Sequence, residues 1–101
     1  MLSSPDIEKL SKFFSSKPVK RAFVFGSFAR NEETPDSDID ILIEIDENVR
    51  MGLVKFISMQ LDLEEMFKRK VDLLADGGIS KFILPYINQD KVLVYEKRPG
   101  R

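Results

Sequence analysis

Between Pro5 and Ser15 apolar residues return at steps of three and four, at Ile7, Leu10, Phe13 and Phe14, behind the start signal Ser3-Ser4-Pro5-Asp6. That spacing predicts an amphipathic helix. Val19 to Phe25 is short, β-branched and aromatic and stops at Gly26, as a buried strand does. Asp38 to Ile45 alternates, with Ile39, Ile41, Ile43 and Ile45 on one side and Asp38, Asp40, Leu42 and Glu44 on the other, the period of a strand with one buried face. Met51 to Arg69 reads as the longest helix, with Leu53, Ile57 and Leu61 in one row and Glu64–Lys68 and Glu65–Arg69 as i,i+4 ion pairs. Its first half is apolar nearly all round, at Met51, Leu53, Val54, Phe56, Ile57 and Met59, which suits either a helix buried on two sides or a protein interface. Val71 to Ala75 forms a strand ended by Asp76-Gly77-Gly78. Ser80 can then cap a short helix to about Asn88, limited by Pro85, and Val92 to Tyr95 is the last strand. This order predicts an α/β or α+β fold of about four strands with helices packed on the sheet.

A chain of 101 residues holds one core, so we expect a single domain over 1–96 and a loose polar tail over 97–101 that contains Pro99 and Gly100. Cysteine and histidine are both absent, which removes the commonest zinc ligands and any Cys/His or Ser/His nucleophile pair. Chemistry is left to carboxylates, hydroxyls and basic side chains. With 16 basic against 17 acidic residues, no bulk field draws the molecule to nucleic acid or anionic lipid. Met1 to Asp6 carries no export pattern, and no apolar run approaches a membrane span. The expectation is a soluble cytoplasmic protein with no nucleic-acid binding of its own.

Asp38 and Asp40 share one strand face at about 6.6 Å along the chain, where two like charges repel by about 2.5 kcal/mol at an effective dielectric near 20. A divalent cation between them reverses the sign. Asp72 opens the strand Val71 to Ala75; if the two strands are neighbours it reaches the same point and completes an oxygen-rich site of the kind Mg²⁺ accepts. Taken singly, each acid also fits a solvated strand face. Asp36, Asp38, Asp40 and Glu47 match positions one, three, five and twelve of a calcium loop, but position six requires glycine and is Ile41. Ahead of the acids the buried strand ends in Gly26-Ser27-Phe28-Ala29-Arg30. Glycine allows close backbone approach, the following turn offers N–H groups and the positive end of a short helix to an anion, and Arg30 adds a fixed cation. A phosphate cradle beside metal-binding carboxylates is what nucleotidyl transfer requires. Thr34 to Ser37 is ordinary turn chemistry, and Lys68, Arg69 and Lys70 read as a solvated helix end.

The run Gly26, Ser27, Phe28, Ala29, Arg30, then Ser37, Asp38, Ile39, Asp40, Ile41, and later Arg69, Lys70, Val71, Asp72, Leu73 resembles the minimal nucleotidyltransferases of the DNA polymerase β superfamily, over about Ile7 to Glu96. The resemblance implies a mixed sheet flanked by helices, Mg²⁺ as cofactor (one or two ions), ATP as the usual donor, and release of pyrophosphate. It also implies that Asp38, Asp40 and Asp72 bind metal and act in catalysis, with Asp72 accepting the acceptor's proton. Gly26 and Ser27 become the phosphate-contacting turn, with Arg30 as a further phosphate contact. Similar proteins usually have glycine where this chain has Asn31; asparagine tolerates the left-handed backbone such a turn needs.

Small stand-alone relatives resembling this chain are often paired with a HEPN-domain ribonuclease toxin, as antitoxins that adenylylate one of its tyrosines. The resemblance therefore implies a HEPN partner. Two other readings remain open: an antitoxin that blocks its partner by contact alone, and nucleotidyl transfer to a small molecule or RNA completed by a partner chain. A pure binder has no use for a repulsive acidic cluster, which favours the enzyme.

Overall fold

The computed structural model describes residues 2–98, which form the order α1 (Ser4–Ser15), β1 (Val19–Phe25), β2 (Ile39–Ile45), α2 (Leu53–Phe67), β3 (Val71–Ala75), a 3-10 turn at Asp76–Gly78, α3 (Leu84–Asp90) and β4 (Val92–Glu96). The sheet order is β3-β2-β1-β4. β1 runs antiparallel to both β2 and β4, while β2 and β3 are parallel and joined through α2, as a parallel pair requires. The α/β class with a mixed four-stranded sheet and flanking helices is as the sequence predicts.

Strand alternation divides the sheet into two faces. Val19, Ala22 and Val24 of β1, Ile39, Ile41 and Ile43 of β2, and Val71 and Leu73 of β3 pack with Leu10 and Phe14 of α1 and Met59 and Leu63 of α2. The opposite face is thinly covered, by Ile87 of α3 and Ile79 on Phe23, Phe25 and Leu42, with Lys91 Nζ 4.5 Å over the Phe23 ring. Ser3 caps α1, its Oγ accepting the Asp6 amide at 3.3 Å, and Pro5 occupies the first turn where no N–H is needed.

The helix α2 differs from expectation in its bounds and its ion pairs, and the structure decides which of its apolar rows is packed. It spans Leu53–Phe67, because Lys68 leaves the helix at φ 53° and closes it with its N–H on the Glu64 carbonyl. The row Leu53, Ile57 and Leu61 faces outward, Leu53 being 73% exposed, and the packed face is Phe56, Met59, Leu63 and Phe67. The expected ion pairs give way to backbone contacts: Glu64 Oε2 accepts the Val71 amide at 3.1 Å, and Arg69 turns to the 34–37 loop. The last helix also starts later than expected, since residues 81–83 form a turn on Ser80, whose Oγ takes the Phe82 amide, and Pro85 sits in the first turn of α3. Of the expected loose tail, Lys97 is tied by its N–H to the Lys20 carbonyl and by Nζ to Asp46; residues 99–101 lie outside the described residues.

Lysine in the left-handed region carries a steric cost that glycine avoids. Lys68→Gly is expected to raise unfolding stability by about 0.5–1 kcal/mol, read as an upward shift of the urea midpoint at constant m-value.

Candidate active site

Three backbone features bring the predicted residues to one end of the sheet. Antiparallel pairing sets Asp40 opposite Phe25, the residue before Gly26. Parallel pairing sets Asp72 opposite Asp40. Asp38, expected to open β2, stands one residue ahead of it, where its charge opposes that of Asp40 and Lys70 lies at ion-pair distance. Asp40 and Asp72, whose strand neighbours enter the main core, thus occupy the thinly covered side of the sheet, and the strand character of Ile39–Ile45 excludes a calcium loop there.

Gly26 has φ +73°, and a Cβ built on it would stand 2.2 Å from Asp40 Oδ2 and 3.1 Å from Asp40 Cγ. The missing side chain is therefore the seat of a carboxylate as well as the hinge of a turn. After it the chain makes one helical turn, not a helix. The Arg30 N–H donates to the Gly26 carbonyl at 3.1 Å and the Glu32 N–H to the Ser27 carbonyl at 2.9 Å, with Asn31 at φ 58° filling the left-handed position expected of it. A helical turn leaves its first amides without partners of its own, and here those belong to the Gly26-Ser27 segment.

Asp40 holds its proton up to about pH 6, because burial disfavours its charge and Asp72 and then Asp38 repel it; Arg30 works in the opposite direction, and Asp72 lies near enough to hydrogen-bond it. Asp38 is half exposed, with Lys70 Nζ 3.9 Å from its Oδ2, and Asp72 is exposed on the edge strand β3. Among the described residues no three acidic side chains are drawn together tightly enough to hold a metal ion as they stand. The donor chemistry nevertheless fits one: carboxylate oxygens only, two of them forced together at neighbouring strand positions, with nothing soft among them.

Arg30 stands at the rim. Its Nη1 donates to Asp90 at 2.7 Å and its Nε to Glu32 at 3.3 Å. Asp90, at the end of α3, carries no signal in the sequence, being sixty residues away. Of the basic trio expected as a solvated helix end, Lys68 is the exposed residue that closes α2 and Lys70 is exposed with Asp38 at ion-pair distance, but Arg69 binds three loop carbonyls. The available signal was that these residues run directly into the strand bearing Asp72.

Two outcomes follow from this crowding. Gly26→Ala strains the left-handed turn and pushes Asp40 off its seat; we expect about 1–2 kcal/mol of lost stability by urea titration. A carboxyl whose proton affinity is higher folded than unfolded stabilises the fold only while protonated, so that contribution is present below about pH 4 and is lost as pH rises through about 6. In EDTA, stability should therefore drop by about 1 kcal/mol across that window after allowance for solvent screening, and Asp40→Asn should abolish the drop; an unchanged profile in the variant would overturn the assignment to Asp40.

The sequence pattern of the Nucleotidyltransferase domain family matches residues 7–97. A Methanocaldococcus jannaschii protein provisionally named a protein adenylyltransferase is 39% identical over 74 residues, covering 73% of this chain and 77% of the relative. In the crystal structure of a toxin–antitoxin with AMP-PNP, the matching chain has TM-score 0.75 at 18% identity, over 96% of this chain and 76% of that one. In a complex of tri-AMPylated Shewanella oneidensis HEPN toxin with an MNT antitoxin, the figures are 0.72 and 14%, over 95% and 74%. The sequence pattern runs from within α1 to the end of β4 and includes the turn and all three acids, and this chain belongs to the nucleotidyltransferase domain family.

Proposed function

We propose that the chain is a protein adenylyltransferase that moves AMP from ATP to a tyrosine hydroxyl of a HEPN-domain toxin, and so acts as its antitoxin. The observation that carries this reading is the Asp40 carboxylate seated over Gly26 and crowded by Asp72, an arrangement that costs stability and has a use only where cationic charge and a phosphate chain are to be held together. The relative named a protein adenylyltransferase and the two toxin–antitoxin structures, one with AMP-PNP and one with an AMPylated HEPN toxin, support the same donor, product and partner.

Asp38, Asp40 and Asp72 would hold Mg²⁺, which when bound supplies charge neutralisation of the triphosphate and lowers the cost of the departing pyrophosphate. The turn amides at Gly26 and Ser27, with the Ser27 hydroxyl and the Arg30 guanidinium, hold the outgoing phosphates. The acceptor oxygen attacks the α-phosphorus, its proton passes to Asp72, and the bond from that phosphorus to the pyrophosphate oxygen breaks. Asp72 suits the acceptor side because it is exposed on the edge strand, while Asp40 is the more enclosed of the pair.

The contact-only antitoxin has one observation in its favour: the outward row Leu53, Val54, Ile57 and Leu61 on α2, an apolar surface that a partner could cover. A surface of that kind serves a catalytic antitoxin equally well, and it gives no account of the acids.

With Mg²⁺ and α-labelled ATP the protein should label a HEPN toxin on tyrosine. Asp38→Asn or Asp40→Asn should cut labelling by about 100-fold or more at unchanged fold, and Asp72→Asn should reduce transfer far more than ATP binding. Undiminished labelling by the Asp38→Asn/Asp40→Asn double variant would refute the proposal.

A further inference from the structure

Arg69 spends its side chain on the loop that delivers Asp38. Its Nη1 donates to the carbonyls of Thr34 at 3.1 Å, Pro35 at 3.2 Å and Ser37 at 2.6 Å. Its guanidinium also lies 5.1 Å from the ring centroid of Phe28, which belongs to the turn that follows Gly26. The loop closes on itself, the Ser37 N–H donating to the Thr34 carbonyl at 3.0 Å and the Thr34 N–H to Ser37 Oγ at 2.8 Å. Those bonds shape the loop without fixing it to anything else. Beyond it, the Ile39 N–H meets the Lys70 carbonyl at 3.0 Å, so the residues on either side of Asp38 are tied to the segment that leads into β3.

We propose that Arg69 is a positioning residue, which locks the 34–37 loop against the Phe28 turn and thereby sets where Asp38 stands relative to Gly26, Asp40 and Asp72. One planar cation can bridge these parts because a single guanidinium donates in its plane to several carbonyls while its face lies on an aromatic ring. A lysine offers a point charge with no face to stack and reproduces only part of this. The loop carbonyls gather at one place, and a cation between them removes their mutual repulsion. Among the described residues the cation paired with Asp38 is Lys70, at 3.9 Å, too long for a hydrogen bond and therefore a poor determinant of geometry. The inference rests on the reading of Asp38 as a site ligand.

Three measurements on the full chain test it. Hydrogen exchange of metal-free Arg69→Met should accelerate about tenfold or more at Ser37 and Ile39 while Val24, in the centre of the sheet, keeps its parent rate. Mn²⁺ binding in the presence of AMP-PNP, followed by electron paramagnetic resonance, should weaken roughly tenfold in Arg69→Met and by less in Arg69→Lys. In an Asp38→Asn background Arg69→Met should cause no further loss of Mn²⁺ affinity, since it acts through the side chain already removed. If Asp38→Asn alone leaves Mn²⁺ affinity unchanged, the reading of Asp38 itself falls. If Asp38→Asn weakens binding and Arg69→Met then adds its full effect on top, or if exchange rises uniformly across the sheet, the positioning role is overturned. Should Arg69→Met fail to fold, Arg69→Lys carries the same three measurements at smaller amplitude.

Discussion

A carboxylate oxygen of Asp40 occupies the space that any side chain at position 26 would need, and the rest of the site is arranged around that contact. Strand pairing enforces it: the register Phe25 to Asp40 on one side and Asp72 to Asp40 on the other leaves Asp40 and Asp72 little freedom to move apart. The repulsion is therefore built into the backbone, where side-chain rotation relieves it only in part, and it persists as the raised proton affinity of Asp40. Such a cluster is tolerated because the other face of the same strands carries Ile39, Ile41, Ile43, Val71 and Leu73 into the main core. Burying side chains of that size stabilises by about 1.5–3 kcal/mol each, more than one crowded carboxylate costs.

Positive charge surrounds the acids without neutralising them. Lys70 stands at ion-pair distance from Asp38, Arg30 lowers the proton affinity of Asp40 while its own hydrogen bonds go to Asp90 and Glu32, and Arg69 is committed to backbone carbonyls. Lys70 has Asp38 itself as its ion-pair partner, whereas Arg30 and Arg69 take acceptors outside the acid cluster. The centre is left with acceptor atoms and a rim of donors, a polarity suited to a triphosphate that brings its own counter-ion.

How much of this could be read from the chain depends on whether a feature is local. The strand expected over Asp38 to Ile45 follows from period-two alternation alone, although Asp38 stands one residue ahead of it, and the turn at Gly26 follows from a glycine that ends a β-branched run. Asn31 in the left-handed region was anticipated from the resemblance, whose members usually carry glycine at that position. The meeting of Asp72 with Asp40 depended on which strands are neighbours, and the motif resemblance anticipated it where periodicity could not. The outward face of α2 was left open by the sequence because Leu53, Ile57 and Leu61 and the packed Phe56, Met59, Leu63 and Phe67 are both apolar rows at helical spacing. Nothing in the pattern says which row meets the sheet. The ion pairs Glu64–Lys68 and Glu65–Arg69 lost to longer-range acceptors because the helix stops at Phe67, so their partners never complete the turn that i,i+4 contact requires.

The two ends of the sheet differ in their charge pairing. Away from the acids, opposite charges meet across strands: Arg21 with Glu44 and Glu96, Lys20 with Glu47, and Lys97 with Asp46. At the other end like charges are brought into register. Exposed pairs of the first kind contribute at most about 1 kcal/mol each, so they do not compensate the acids energetically. What they do is oppose slippage of β1 against β2 and β4. A one-residue slip would turn every side chain of a strand to the opposite face, sending Asp40 into the core and Ile41 to the thinly covered face. The pairs Arg21–Glu44 and Arg21–Glu96 coincide with register partners, and they sit beside the two irregularities in β1 pairing, between Val19 and Arg21 and between Ala22 and Phe23, where register is least secured by the ladder itself. Ionic complementarity at the far end thus helps specify the alignment that makes ionic conflict at the near end possible.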